Sequence, residues 1–125
     1  LVDFDKGHFT GRRALLEQKA KGVPRMLVGL EVDGKKPAYD ALIFDKEHGG
    51  KEIGFTTCSL WSPTLKNNIA MAMIDAPHYK GEGELWAEFY IKRELIWQKR
   101  RVRCKVVPRP FFAPERRKLT PPLDR

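Results

Sequence analysis

Two places in this chain carry side chains whose chemistry could serve a ligand: Trp61, in the run Ser59-Leu60-Trp61-Ser62-Pro63, and the basic triplet Arg116-Arg117-Lys118. An indole in a loop offers a large apolar face on which a flat aryl ring can stack. Arginine forks match carboxylates, so Arg116 and Arg117 can hold an anionic group. Each has a plainer reading: Trp61 packs on the end of the fold, and the triplet is a solvated terminal run. His8, His48 and His78 stand far apart, and none has a metal-ligand spacing such as Cys-x-x-Cys or His-Glu-x-x-His. The two cysteines, Cys58 and Cys104, are distant in sequence and read as free thiols.

Charge is the most informative bulk property. The net is +8 over 125 residues, unevenly placed. Residues 1–91 hold 12 Lys/Arg against 13 Asp/Glu, whereas 92–125 hold 12 Lys/Arg against 3 Asp/Glu. A one-sided field attracts an anion: a nucleic-acid backbone, an acidic protein or a small polyanion. A basic β-barrel with aromatics can bind single-stranded nucleic acid, but the aromatics here do not alternate with the basic residues, so this reading is disfavoured. A module that docks an acidic protein partner stays open. No apolar run is long enough to span a bilayer, and no signal-peptide pattern opens the segment. With free thiols, that reads as a cytoplasmic protein, and a start at Leu1 with no initiator Met reads as an excised segment, a processed product or a fragment.

The elements that must position these residues follow from periodicity. Thr10 is a helix N-cap candidate for residues 11–21, with Ala14, Leu15 and Leu16 as a buried face, Gly22 at the C-terminal end and Pro24 as a stop. The period then changes to two. Met26, Val28, Leu30 and Val32 share a face; further strands are expected at 41–44, 51–57 and 68–74, with a turn at His48-Gly49-Gly50 and a loop or helical turn over 59–67. Leu85, Ala87, Phe89 and Ile91 share one face of a strand, and Val102, Cys104 and Val106 one face of another, while 93–98 extends the former or starts a hairpin. Prolines 108, 110 and 114 end regular structure. One helix followed by six short strands predicts a mainly β fold: a small antiparallel six-stranded barrel, Greek-key or jelly-roll-like, whose closure removes exposed edges.

Four ordered segments carry a family resemblance: Phe9-Thr10-Gly11-Arg12-Arg13-Ala14-Leu15-Leu16-Glu17-Gln18-Lys19, Arg25-Met26-Leu27-Val28-Gly29-Leu30, Ile53-Gly54-Phe55-Thr56-Thr57 through Ser62-Pro63-Thr64-Leu65-Lys66-Asn67-Asn68-Ile69-Ala70-Met71-Ala72, and Val106-Val107-Pro108-Arg109-Pro110-Phe111. Together they resemble the C-terminal β-barrel domain of the glycine cleavage T-protein (aminomethyltransferase) superfamily. Several of these residues have structural readings beside that one. Gly11 and Gly54 permit close backbone approach, Ser62-Pro63 starts a turn, and Asn67 and Asn68 can pin a loop.

The resemblance implies a helical linker at 1–23 from a preceding folate-binding domain, a barrel at 24–112 and a basic tail at 113–125. It implies tetrahydrofolate as cofactor, bound mainly by absent N-terminal domains of the same parent enzyme, with a methylated or aminomethyl donor. The catalytic carboxylate would lie on those domains, so this chain holds no catalytic residue and is inactive alone. Its role would be a wall of the folate and substrate channel, with Trp61, Arg116 and Arg117 as cofactor contacts. Two features depart from the glycine cleavage subunit: the insert Tyr90–Arg101, and a tail with no tyrosine after Pro110-Phe111. Both look more like the tetrahydrofolate-dependent demethylases of the superfamily. The outward faces of Trp86, Tyr90 and Trp97 are candidate docking surfaces for the absent domains.

Overall fold

A computed structural model describes residues 2–119. Helix α1 (Arg12–Lys21) precedes strands β1 (Arg25–Val32), β2 (Leu42–Phe44), β3 (Glu52–Ser62), β4 (Asn67–Asp75), β5 (Leu85–Arg93) and β6 (Ile96–Val107). The strands close into a barrel in the order β1-β4-β3-β2-β5-β6, with all pairings antiparallel. Three hairpins join β2 to β3, β3 to β4 and β5 to β6, and the β1–β2 and β4–β5 links cross between non-adjacent strands. The expected barrel and single helix are therefore present.

Alternation fills the interior. Val28, Leu30 and Val32 of β1 face Ala70 and Ala72 of β4, with Ile43, Ile53, Ile74, Leu85, Ala87 and Phe89 completing the core. Large residues lie across from alanines, which lets six strands close around a solid centre. Each fully buried leucine or isoleucine contributes about 1.5–3 kcal/mol. Gly54 admits a close strand approach: a Cβ there would run into the carbonyl oxygen of Met73. Gly29 lies under the Phe111 ring, whose nearest carbons would be 3.0 Å from an added Cβ.

Several boundaries differ from the sequence expectation. Thr10 does not cap α1; Gly11 is the N-cap, left-handed at φ 86, with no side-chain cap bond. The expected buried face of the helix is absent too, since no α1 residue is buried. Strand β3 runs to Ser62, so Trp61 lies in a strand and not in a loop. Ser59 reads locally as a turn residue, but its hydroxyl accepts from Ala38 N–H at 3.1 Å and donates to the Ile69 carbonyl at 3.3 Å, so the strand continues. Strand β6 begins at Ile96, completing a hairpin whose two-residue turn is Glu94-Leu95, with Arg93 opposite Ile96. The tail, expected to lack regular structure, forms a 3₁₀ turn over Glu115–Arg117; its last residues, 120–125, lie outside the described residues.

Both residues of the β5–β6 turn have positive φ, 49° at Glu94 and 67° at Leu95, a geometry that favours Asn-Gly. Leu95 is 86% exposed, so no packing compensates. Replacing Glu94-Leu95 by Asn-Gly is expected to raise stability by about 1 kcal/mol in urea unfolding. Gly54→Ala is expected to lower it by about 1–3 kcal/mol in the same measurement.

Candidate functional site

One end of the barrel gathers the C-terminal end of β1, the β3–β4 turn, the β1–β2 loop (33–41) and the projecting β5–β6 hairpin. The loop is held by side chains from within the barrel wall. Thr56 Oγ1 accepts from Ala41 N–H at 2.9 Å and donates to the Ala38 carbonyl at 3.1 Å. Ser59 adds its bond from Ala38 N–H, and Asn68 Nδ2 donates to the Gly34 carbonyl at 2.6 Å. Thr56, Ser59 and Asn68 are buried, as are Ala38 and Ala41, so the two hydroxyls satisfy buried loop backbone, while Asn68 ties down the exposed Gly34. Ser62 Oγ accepts from Leu65 N–H at 3.3 Å and fixes the β3–β4 turn.

Against this loop stands the inner face of the hairpin. Phe89, Ile91 and Arg93 of β5 and Gln98, Arg100 and Val102 of β6 line one side of a cavity of about 500 Å³. Asp33, Gly34, Lys35 and Lys36 line the other. On the outer face, Arg101 clamps the β2–β3 turn. Its Nε meets Glu88 at 2.7 Å, Nη1 donates to the carbonyls of Lys46 and Gly49 at 3.0 and 2.6 Å, and the guanidinium lies 3.8 Å over the Phe44 ring. Tyr90 and Trp97 are exposed on this outer face and Trp86 is half-buried, so the expected aromatic patch is accessible at two of its three members.

Trp61 is 42% exposed at the end of β3, opposite Asn68 of β4. Arg116 and Arg117 are exposed on their 3₁₀ turn. No hydrogen bond or ion pair joins Trp61 to either arginine among the described residues, and none of the three lines the cavity above. The sequence reading missed Arg93 and Arg100. Carrying the Leu85–Ile91 alternation two residues on reaches Arg93, and carrying the Val102–Val106 alternation two residues back reaches Arg100. Among the described residues no cluster of His, Cys, Asp and Glu is placed to hold a metal ion, and no helix is long and apolar enough to cross a membrane.

Cys58 is exposed and Cys104 buried, and both are free. Burial chiefly, and the Asp33 carboxylate secondarily, push the Cys104 thiol from 9.0 up to about 12. The folded state therefore keeps this proton where the unfolded chain loses it. The resulting stability is fully present below about pH 9 and is lost as pH rises towards about 12. Chemical denaturation is expected to show stability falling across that window, with a shallower fall in Cys104→Ala. A thiol reagent at pH 8 should label Cys58 in the native protein and Cys104 only on unfolding.

Residues 25–113 match the family model described as the glycine cleavage T-protein C-terminal barrel domain. The chain is 40% identical over 111 residues to an aminomethyltransferase of Desulfitobacterium hafniense, covering 89% of this chain and 28% of that protein. It is 36% identical over 105 residues to an aminomethyltransferase of Alkaliphilus metalliredigens, covering 83% and 26%. Among solved structures it is similar to glycine cleavage system aminomethyltransferase T from Bartonella henselae, at 26% identity and a TM-score of 0.68, over 87% of this chain and 28% of that one. The chain thus spans little more than a quarter of the length of these relatives.

Proposed function

Because this chain belongs to the glycine cleavage T-protein C-terminal barrel family, we propose that it is the terminal domain of a tetrahydrofolate-dependent one-carbon transferase and forms a wall of the channel holding folate and donor. The observation that carries the reading is the family match over 25–113 together with aminomethyltransferase relatives of which this chain covers only about 28%. Residues 1–23 are the linker from a preceding folate-binding domain, 24–112 the barrel and 113–125 the tail. A helix with no buried residue supports the linker assignment, since its apolar side chains, Leu15 and Leu16 among them, lack a full partner here. Exposed Tyr90 and Trp97 support docking against the absent domains. We place the parent enzyme in the cytoplasm.

Tetrahydrofolate, when bound, supplies the nitrogen that accepts the one-carbon unit. The side chains on this chain suit parts of it. The half-exposed Trp61 indole offers a stacking face for the pterin, and Arg116 and Arg117 offer forks for its carboxylates. These groups are not enclosed on this chain, so the opposite walls belong to the rest of the parent. The domain's contribution is to orient and to exclude water, and the proton-moving carboxylate lies elsewhere.

A second reading within the same family is demethylation of an ether, sulfonium or amine donor. It is favoured by the long β5–β6 hairpin, which occupies the inserted segment and alters one end of the barrel.

The 125-residue chain alone is expected to transfer no one-carbon unit to tetrahydrofolate, whereas adding the separately produced N-terminal part of the parent should restore transfer. Turnover by the chain alone would overturn the proposal. Trp61→Ala in the full-length parent should raise KM for folate about tenfold with kcat little changed, as loss of a stacking face predicts. Assaying aminomethyl-lipoyl carrier beside methoxyaryl, sulfonium and methylamine donors separates the two readings.

A further inference from the structure

Alternation along the β5–β6 hairpin sorts all but one of its cations into two sets; Lys92, on the outward face of β5, has no carboxylate within 4.0 Å among the described residues. Those on the outward face of β6 have carboxylate partners: Lys99 and Arg101 meet Glu88, Arg103 meets Glu84 and Lys105 meets Glu31, at 3.8, 2.7, 3.6 and 3.8 Å. The inward set consists of Arg93, on the face of Leu85, Ala87 and Phe89, and Arg100, directly opposite Phe89. Among the described residues neither has a carboxylate within 4.0 Å, and the same holds for Lys35 and Lys36 across the cavity. Both arginines are exposed on the part of the hairpin that extends past the barrel wall, so they present unpaired positive charge to the cavity rather than to the packed interior.

We propose that the cavity between the β1–β2 loop and the β5–β6 hairpin binds a small organic anion carrying two or more carboxylates on an apolar body. Its volume of about 500 Å³ suits such a molecule. Phe89, Ile91 and Val102 form an apolar floor, which an inorganic phosphate would leave uncovered. Lys35, Lys36, Arg93 and Arg100 form the rim, opposed by Asp33 alone, so a single carboxylate would leave most of the positive charge unanswered. Gln98 adds an amide to orient the ligand. The loop wall is rigid because Gly34 is tied to buried Asn68, and Ala38 to Thr56 and Ser59. A nucleic-acid strand fits poorly, because the rim is concave and its one aromatic, Phe89, is buried at the base.

Two sources supply this chemistry: a free dicarboxylate, or the γ-linked glutamate tail of a folate-type molecule. Isothermal titration of the 125-residue chain with glutarate, p-aminobenzoyl-glutamate and p-aminobenzoyl-tri-γ-glutamate distinguishes them. Saturable binding of at least one probe is expected, weakened about tenfold or more in Arg93→Gln/Arg100→Gln and unchanged in Arg116→Gln/Arg117→Gln. Both cavity arginines are exposed, so the double variant should keep its thermal unfolding midpoint; Lys35→Gln/Lys36→Gln gives a second test on the opposite wall. Tri-γ-glutamate binding about tenfold tighter than glutarate assigns the tail as the source, and equal affinities assign a free dicarboxylate. No heat from any probe at about 1 mM, or binding unaltered in both cavity double variants, overturns the site. That result would leave the reconstitution experiment on the channel wall untouched, since the cavity is argued from its own charge and shape.

Discussion

Strand β1 is paired on both edges, with β4 along Arg25–Val32 and with β6 over Gly29–Val32. Closing a sheet into a barrel forces a stagger, and here β6 absorbs it. Only Cys104–Val107 of that strand reaches β1, whereas Ile96–Cys104 pairs with β5. Strand β2, on the other side of β5, is three residues long and reaches only Trp86–Glu88. The outer halves of β5 and β6 consequently run past the barrel wall as a two-stranded ribbon. Their inward-facing positions, which deeper in the barrel hold Leu85, Ala87 and Cys104, there face a gap bounded by the β1–β2 loop. The same alternation that builds the core therefore also builds a cavity once the wall stops.

That gap would be poorly defined if the β1–β2 loop were loose. It is held by Thr56, Ser59 and Asn68, whose side chains stand in for the missing strand partner of residues 34–41. Each such bond contributes about 1 kcal/mol net, and leaving a buried backbone group unpaired costs more. These three residues lie in the segment that carries much of the family resemblance. Two of the other resembling segments meet in space, since Phe111 covers Gly29, and Gly54 lets β3 approach Met73 and Ile74 of β4.

Strand identity was legible because the interior alternates cleanly, as in Val28-Gly29-Leu30-Glu31-Val32 and Leu85-Trp86-Ala87-Glu88-Phe89. Boundaries were less so, and for a common cause. Ser59 is a turn former by local propensity, but a tertiary partner at Ala38 captures its hydroxyl, so β3 extends through Trp61. Thr10 lost the capping role to Gly11, whose left-handed φ no threonine adopts cheaply. Glu94-Leu95 lacks every ordinary signal of a two-residue hairpin turn; pairing of the long strands on either side imposes the turn from outside. Trp61, Arg116 and Arg117 were visible as chemical types, but their relation to one another depends on elements distant in sequence.

The basic excess in 92–125 also acquires a different meaning once parity is applied to it. Counted along the sequence, it looks like one uniform field. On the barrel, part of it is neutralised locally: Lys99 and Arg101 reach Glu88 of β5, Arg103 reaches Glu84 just before β5, and Lys105 reaches Glu31 of β1. The exposed ones, such as Arg103 with Glu84, contribute about 0–1 kcal/mol each and serve mainly to cancel charge on the outer surface, whereas Arg101 with Glu88 is largely shielded from solvent. What remains unpaired among the described residues lies partly on the hairpin and partly along the tail. Within the β5–β6 ribbon it includes Arg93 and Arg100 above an apolar floor, facing Lys35 and Lys36 from a stretch of chain otherwise close to neutral. Cations brought together from two regions so far apart in sequence, beside a surface water solvates poorly, create a stronger and more selective anion field than the same number spread along a tail.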